Sequence, residues 1–303
     1  MRDSFRFPIY LRAFGVTREA LERDGDGLVI DRIAAHVAAS ERVSRAVVLA
    51  LDGVVDDDGD IDWNATQVYV PNGFVARETA RHPPLCFGAS VNPHRRDALE
   101  RLARVHEDGA VLLKWIPNIM GIDPADEAIR PFYRRLVELG LPLLTHAGQE
   151  RSFASAVDAY GDPLRLELPL SMGVTVIAAH IATTGENAGE DNFERILPLF
   201  EAYPNLYADI SSLTQINKLG YLTRALRVPG LPERLVYGTD WPLQFFPLVS
   251  PYYHLNHIGF AEARSAAALD NPWDRDIALK EALHVPWHVF ARGAELLPME
   301  RCL

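Results

Sequence analysis

Seven short runs of almost unbroken apolar residues punctuate this chain, at 45–51, 85–91, 110–115, 141–145, 174–179, 206–210 and 235–237. Each is strand-length, and helix-like stretches separate them. A strand that is apolar on both faces must be covered on both faces, which parallel sheets achieve with helices packed outside. Three runs lead directly into a polar group, Lys114, His146 or His180, and the last is followed by Asp240. Parallel strands bring their carboxyl ends to one rim, so these four groups are expected to converge although they lie far apart in sequence. A doubly wound dinucleotide fold would place a glycine-rich turn after the first strand. Here an acidic loop at 52–60 follows instead, without the spacing or closing glutamate of a calcium loop. The expected fold is therefore α/β, a (β/α)8 TIM-barrel type with its first strand missing, since seven strands are visible where closure needs an eighth.

The intervening segments carry helical patterning. Ile30, Ile33, Ala34 and Val37 share one face of a helix expected over 28–40. Ile129, Phe132, Leu136 and Leu139 form another stripe, with Asp123 as its cap, Pro124 in the first turn and Gly140 at its end. Helices are also expected over 66–82, broken at Pro71, and near 153–159 within the long connection 147–172.

His146 and His180 occupy equivalent addresses on neighbouring strands, and each is a candidate metal ligand or, for His180, a general base. Asp240 can bind a metal through one oxygen and take a proton from water through the other. Lys114 can orient a substrate carboxylate, pair with an acid, or be carbamylated between two metals. The structural alternatives stay open: a core histidine bonded to a carbonyl, an aspartate cap, a buried ion pair. A divalent ion in a nitrogen and oxygen shell would lower the pKa of its water from about 16 towards roughly 7. The rim residues Trp115, Ile116, Trp241, Phe245, Phe246, Tyr252 and Tyr253 are apolar or aromatic, and Lys114, Gln149 and Arg151 stand near them in sequence. Substrate contacts are therefore expected at Lys114, Trp115, Arg151 and Trp241, with a small organic acid, lactone, ester or amide as the substrate class.

Several segments together resemble the amidohydrolase-related family of metal-dependent barrel hydrolases and decarboxylases. They are 46–50 (Ala-Val-Val-Leu-Ala), 88–93 (Gly-Ala-Ser-Val-Asn-Pro), 113–117 (Leu-Lys-Trp-Ile-Pro), 144–148 (Leu-Thr-His-Ala-Gly), 178–180 (Ala-Ala-His) and 237–242 (Tyr-Gly-Thr-Asp-Trp-Pro). The resemblance implies that His146 is a metal ligand, His180 a ligand or catalytic group, and Asp240 a ligand and base, with zinc the expected ion. It implies hydrolysis of C–N or C–O bonds by metal-activated water. The alternatives are metal-dependent decarboxylation of an unsaturated or aromatic acid, or a degenerate barrel impaired in catalysis. One departure is large: the family's first strand ends in a His-x-His ligand pair, and no His-x-His occurs in this chain. The expectation is that a preceding segment supplies it, and that residues 1–303 alone are doubtful as a catalyst.

Composition narrows the remaining choices. A net charge of -11 disfavours nucleic acid and anionic membranes as partners. Two cysteines are too few for a disulfide framework, and a reducing, cytoplasmic setting is expected. No run is long enough to span a bilayer. We expect one domain over 1–303, with an atypical helical region at 1–44 and the recognisable barrel at 45–297. A small-molecule substrate and a divalent metal are expected, without a nucleotide or organic cofactor, and the barrel mouth leaves room for a homo-oligomer.

Overall fold

The structure is a computed structural model describing residues 7–242 and 248–302, so the expected rim aromatics Phe245 and Phe246 lie outside the described residues. All seven runs become strands, each shorter than the apolar run that carries it. In chain order they are β1 Ala46–Leu49, β2 Leu85–Ala89, β3 Leu112–Trp115, β4 Leu143–His146 and β5 Val176–Ala179. A small hairpin follows, β6 Glu186–Asn187 and β7 Glu190–Asp191, and then β8 Leu206–Asp209 and β9 Leu235–Val236. The seven main strands pair in the order β1-β2-β3-β4-β5-β8-β9, every pair parallel. The result is a curled, open sheet matching a (β/α)8 barrel that lacks its first strand. Among the described residues β1 and β9 have one neighbour each, so the ring is not closed.

Strand register decides which residues face the inside. Parallel partners share a face and successive residues alternate. Lys114 pairs with Leu144, Leu144 with Ile177, His146 with Ala179 and Ile177 with Tyr207. Lys114, His146 and, two residues beyond Tyr207, Asp209 therefore occupy the same face. The opposite face carries Leu113, Trp115, Leu143, Val176 and Ala178. It packs with Leu102, Phe132, Leu136, Phe193 and Ile196 of the outer helices in the main hydrophobic core. That core lies between sheet and helices, which leaves the inner face free to hold polar groups at its carboxyl end.

The amino-terminal end of the inner face is closed by the chain's own carboxyl end. Cys302, Leu297 and Met299 pack with Cys86, Leu112, Val47 and Leu49. The sulfurs of Cys86 and Cys302 are bonded, across 216 residues of sequence. Two cysteines were too few for a framework, but they are paired, so their number is no argument for a reducing compartment. Among the described residues no helix is long and apolar enough to cross a membrane.

Three helix expectations need correction. The stripe beginning at Ile129 belongs to a helix at Arg130–Leu139 that follows a short 3-10 turn, Glu127–Ile129. Asp126 caps that turn by accepting from the Ala128 amide at 2.8 Å, while Asp123 accepts from Ala125 and pairs with Arg165. Gly140 ends the helix in the left-handed region as expected, with φ 61°. Residues 66–71 do not join the helix that Pro71 precedes, Asn72–Thr79. The expected helix near 153–159 is reduced to a 3-10 turn, Asp158–Gly161, with 153–157 not helical. Gln67 holds this stretch as a loop, accepting from the Ala154 amide at 2.9 Å and donating to the Ser155 carbonyl at 2.6 Å.

The β6–β7 hairpin turns through Ala188 and Gly189, both left-handed with φ 51° and 80°. A two-residue turn of this kind favours asparagine at its first position, where alanine is strained and exposed. Ala188→Asn should raise stability by about 0.5–1 kcal/mol, seen as a higher urea midpoint with an unchanged slope. A lower midpoint would show that the alanine is not the strained partner.

Candidate active site

At the carboxyl rim of the sheet the side chains converge. His146 is the last residue of β4, its Nε2 lying 3.4 Å from the Gln149 carbonyl and 3.7 Å from a Glu150 carboxylate oxygen. His180 follows β5 directly, and the two imidazoles meet edge to face with centroids 5.8 Å apart. Asp240 follows β9, with Oδ2 at 3.9 Å from His180 Nε2. Lys114 projects from β3, and among the described residues its ammonium has no hydrogen-bond or ion-pair partner.

Three further groups were not singled out from sequence. Asp209 ends β8, and one of its oxygens, Oδ1, accepts from the His180 amide at 3.0 Å, the Ser211 amide at 3.0 Å and the Ser211 hydroxyl. Lys218 reaches in from the loop after β8 and donates to Ser212 Oγ at 3.1 Å. Glu150 comes from the connection after β4 and is nearly buried beside His146, its side chain 9% exposed.

The electrostatics follow from burial and from two cations among three carboxylates. Burial pushes the His146 pKa down to about 4; Glu150 opposes this and the two lysines reinforce it. His180 is pushed well below its ordinary value by burial first, then by Lys218, His146 and Lys114. Both rings are therefore neutral at pH 7. Burial raises Asp240 to about 6, against the pull of Lys218 and Lys114 and with the help of Asp209 and Glu150. Both lysines are lowered by burial, while Asp209, Asp240 and Glu150 pull the other way.

The backbone is strained where this cluster sits. His180, Ile181 and Ala182 hold φ of 57°, 51° and 53°, one after another, and Ser212 and Asp240 hold 53° and 54°. Left-handed conformation costs an ordinary residue roughly 1–2 kcal/mol, and such strain gathers where a site must be held in one shape. Gly148 answers a different need: a Cβ there would meet the Thr184 carbonyl oxygen at 2.6 Å. Its bare backbone lets the loops after β4 and β5 touch.

The expected substrate contacts divide. Lys114 lies at the rim. Trp115 does not: it is fully buried on the opposite face, its indole donating to the Val91 carbonyl at 2.8 Å and packing on Phe132 and Tyr133. Strand alternation makes this unavoidable once Lys114 points inward. Arg151 is exposed and donates to Gln149 Oε1 at 3.0 Å. Trp241 lies against Phe14 with the rings tilted and their centroids 4.9 Å apart, and packs beside the helix Gly27–Ala38. Of the other rim aromatics, Tyr252 is exposed and pairs with Phe260 at 6.0 Å.

The amidohydrolase family profile (Amidohydro_2) matches residues 30–253, a span that holds Lys114, His146, His180 and Asp240. The chain belongs to the amidohydrolase family. An uncharacterized TIM-barrel protein from Bordetella bronchiseptica superposes on this family member with a TM-score of 0.59 at 16% identity, over 98% of this chain and 92% of its own. A probable 2-pyrone-4,6-dicarboxylic acid hydrolase from Acinetobacter baumannii, solved with citric acid bound, gives 0.50 at 13% identity, over 84% and 88%. At these identities the likeness is one of fold. No curated protein matches the sequence.

Membership raises the question of a divalent ion. Two neutral imidazoles and a carboxylate are suitable donors by type. Their arrangement is not suitable: among the described residues no three His, Cys, Asp or Glu side chains are placed to hold a metal. His146 Nε2 is turned to Gln149 and Glu150, and His180 Nδ1 to Ser211 and Ser212. Two lysine side chains also share the region and already offset much of the charge of its three carboxylates. The expected ligands His146, His180 and Asp240 are thus neighbours without forming a metal-holding group.

Proposed function

We propose that this chain hydrolyses a C–N or C–O bond, in an amide, lactone or ester, of a small organic acid, with Asp240 as the proton-transfer residue. The observation that carries the reading is Asp240 itself, raised to about 6 beside a neutral His180 and in the field of two lysines. A base poised near working pH combines correct protonation with driving force. Ionised Asp240 takes the proton of an attacking water and returns it to the leaving group. The Lys114 ammonium, without a protein partner among the described residues, receives the substrate carboxylate or the oxygen on which charge develops. Arg151 and Trp241 are proposed at the outer edge of the substrate path.

Decarboxylation is the second reading, and one observation favours it. Near pH 6 Asp240 is about half protonated, so it can donate to a carbanion left when carbon dioxide departs. The experiment is a panel of lactones, amides, esters and unsaturated acids, assayed with chelator and with added zinc, following product acid and carbon dioxide separately. Hydrolysis abolished by Asp240→Asn supports the proposal. Carbon dioxide release without hydrolysis selects the second reading. Absence of turnover in every arm overturns both for those substrates and leaves a barrel impaired in catalysis. The zinc arm tests the metal dependence that the family implies.

A further inference from the structure

One nitrogen of His180 carries nearly all of its polar contacts. Nδ1 lies 2.8 Å from Ser211 Oγ, 3.1 Å from the Ser211 carbonyl oxygen and 3.1 Å from Ser212 Oγ. A carbonyl can only accept. The Ser211 hydroxyl spends its single proton on Asp209 Oδ1, so towards the ring it too presents a lone pair. Ser212 Oγ accepts from Lys218 Nζ at 3.1 Å and keeps both a second lone pair and its proton, so it suits either state of the ring and the Ser211 groups decide. An unprotonated Nδ1 would set its own lone pair against those of the Ser211 carbonyl and hydroxyl. A protonated Nδ1 finds an acceptor in each.

We infer that Asp209 and Ser211 lock neutral His180 as the Nδ1–H tautomer, so that Nε2 carries the lone pair and faces Asp240. Asp209 anchors the arrangement twice, since it also accepts from the His180 amide at 3.0 Å and thereby fixes the left-handed residue that aims the ring. Asp209 and Ser211 are positioning residues: they act through the imidazole, not on the substrate. Lys218, bonded to Ser212, is a third. The consequence rests on the hydrolase reading above: Nε2 is a second acceptor beside Asp240, orienting the water whose proton the carboxylate takes. Without the lock, the ring could present N–H to that water and turn its lone pair away from the reaction.

The test reads the tautomer directly, in protein without substrate. Protein labelled with 15N-histidine is observed at pH 8 by long-range proton–nitrogen correlation, and the His180 signals are identified by their loss in His180→Gln. The expected pattern is a protonated Nδ1 with an unprotonated Nε2. Ser211→Ala should give a mixture of tautomers, while Ser211→Thr, which keeps the hydroxyl, should retain the native pattern. On any substrate turned over, Ser211→Ala should lower kcat roughly 10- to 100-fold with KM within twofold, and Ser211→Thr should restore it. A wild-type spectrum showing Nε2–H overturns the inference, as does a Ser211→Ala tautomer identical to wild type. Should Ser211→Ala not fold, the wild-type spectrum alone decides. The native pattern without turnover would uphold the lock and count against the hydrolase reading instead.

Discussion

Asp240→Asn should lower kcat/KM about 10³-fold on whichever ester, lactone or amide the chain turns over, the scale of a lost general base. The amide keeps the shape and polarity of the carboxylate but cannot take the proton of water. The same group sets the pH dependence. A base must be ionised to act, and Asp240 ionises near 6 in the folded chain. Wild-type kcat/KM should therefore fall about tenfold per unit below that value and level off above it. An activity independent of pH between 4 and 6 would remove Asp240 from the role, as would an asparagine variant within threefold of wild type.

Stability should move the other way, and the sign can be worked out. The folded-state pKa is raised from 3.8 to about 6, so between those values the folded chain binds a proton that the unfolded chain has released. Folding stability consequently drops as pH rises through that window and stays lower above it. The full shift corresponds to about 3 kcal/mol, which screening should reduce to about 1–2 kcal/mol because the side chain is 34% exposed. Asp240→Asn never ionises. It should be more stable than wild type by that amount at pH 8, with the difference closing as pH is lowered from 6 towards 4. Urea unfolding at several pH values measures it, and a variant less stable at pH 8 would show the carboxylate to be a structural anchor.

How much of this was legible beforehand depends on where each residue sits. The strands were readable because burial on both faces leaves an apolar run that no other short element needs. Lys114, His146, His180 and Asp240 were readable as interruptions at the ends of those runs. Asp209 obeys the same rule, ending β8 as His146 ends β4, but it was absorbed into an apolar run extended to Ile210. Trp115 departs from its expected place at the rim because one residue beyond an inward lysine must face outward. Lys218 and Glu150 gave no signal, because they come from loops whose path depends on packing rather than periodicity. Nor did the left-handed run His180–Ile181–Ala182, which contains no glycine to mark it.

Lys280→Met should cost about 3–5 kcal/mol, the penalty for stripping a buried carboxylate of its cation. Lys280 is fully buried in the helix Pro272–Ala282 and donates to Asp276 Oδ2 at 2.6 Å. The same oxygen accepts from the Tyr237 hydroxyl at 2.9 Å. Burial and the Asp276 charge push the Tyr237 pKa well above its ordinary value, so its proton stays in place. Without Lys280, the Asp276 carboxylate keeps, among the described residues, only hydroxyl donors, from Tyr237 and, at 3.5 Å, Thr214. Replacing both partners, Lys280→Met with Asp276→Leu, removes the stranded charge and should regain most of the loss, giving a coupling energy of at least about 3 kcal/mol in the double-mutant cycle, since Asp276→Leu alone strands the lysine. Lys280 has a second task that the cycle separates from the first. Its ammonium also donates to the Gly238 carbonyl at 3.3 Å, two residues before Asp240. The double variant still lacks that donor, so it should be nearly as stable as wild type yet turn over more slowly per folded molecule. Full activity in the double variant would mean that Lys280 serves the fold alone and that Asp240 is held in place by its own strained turn.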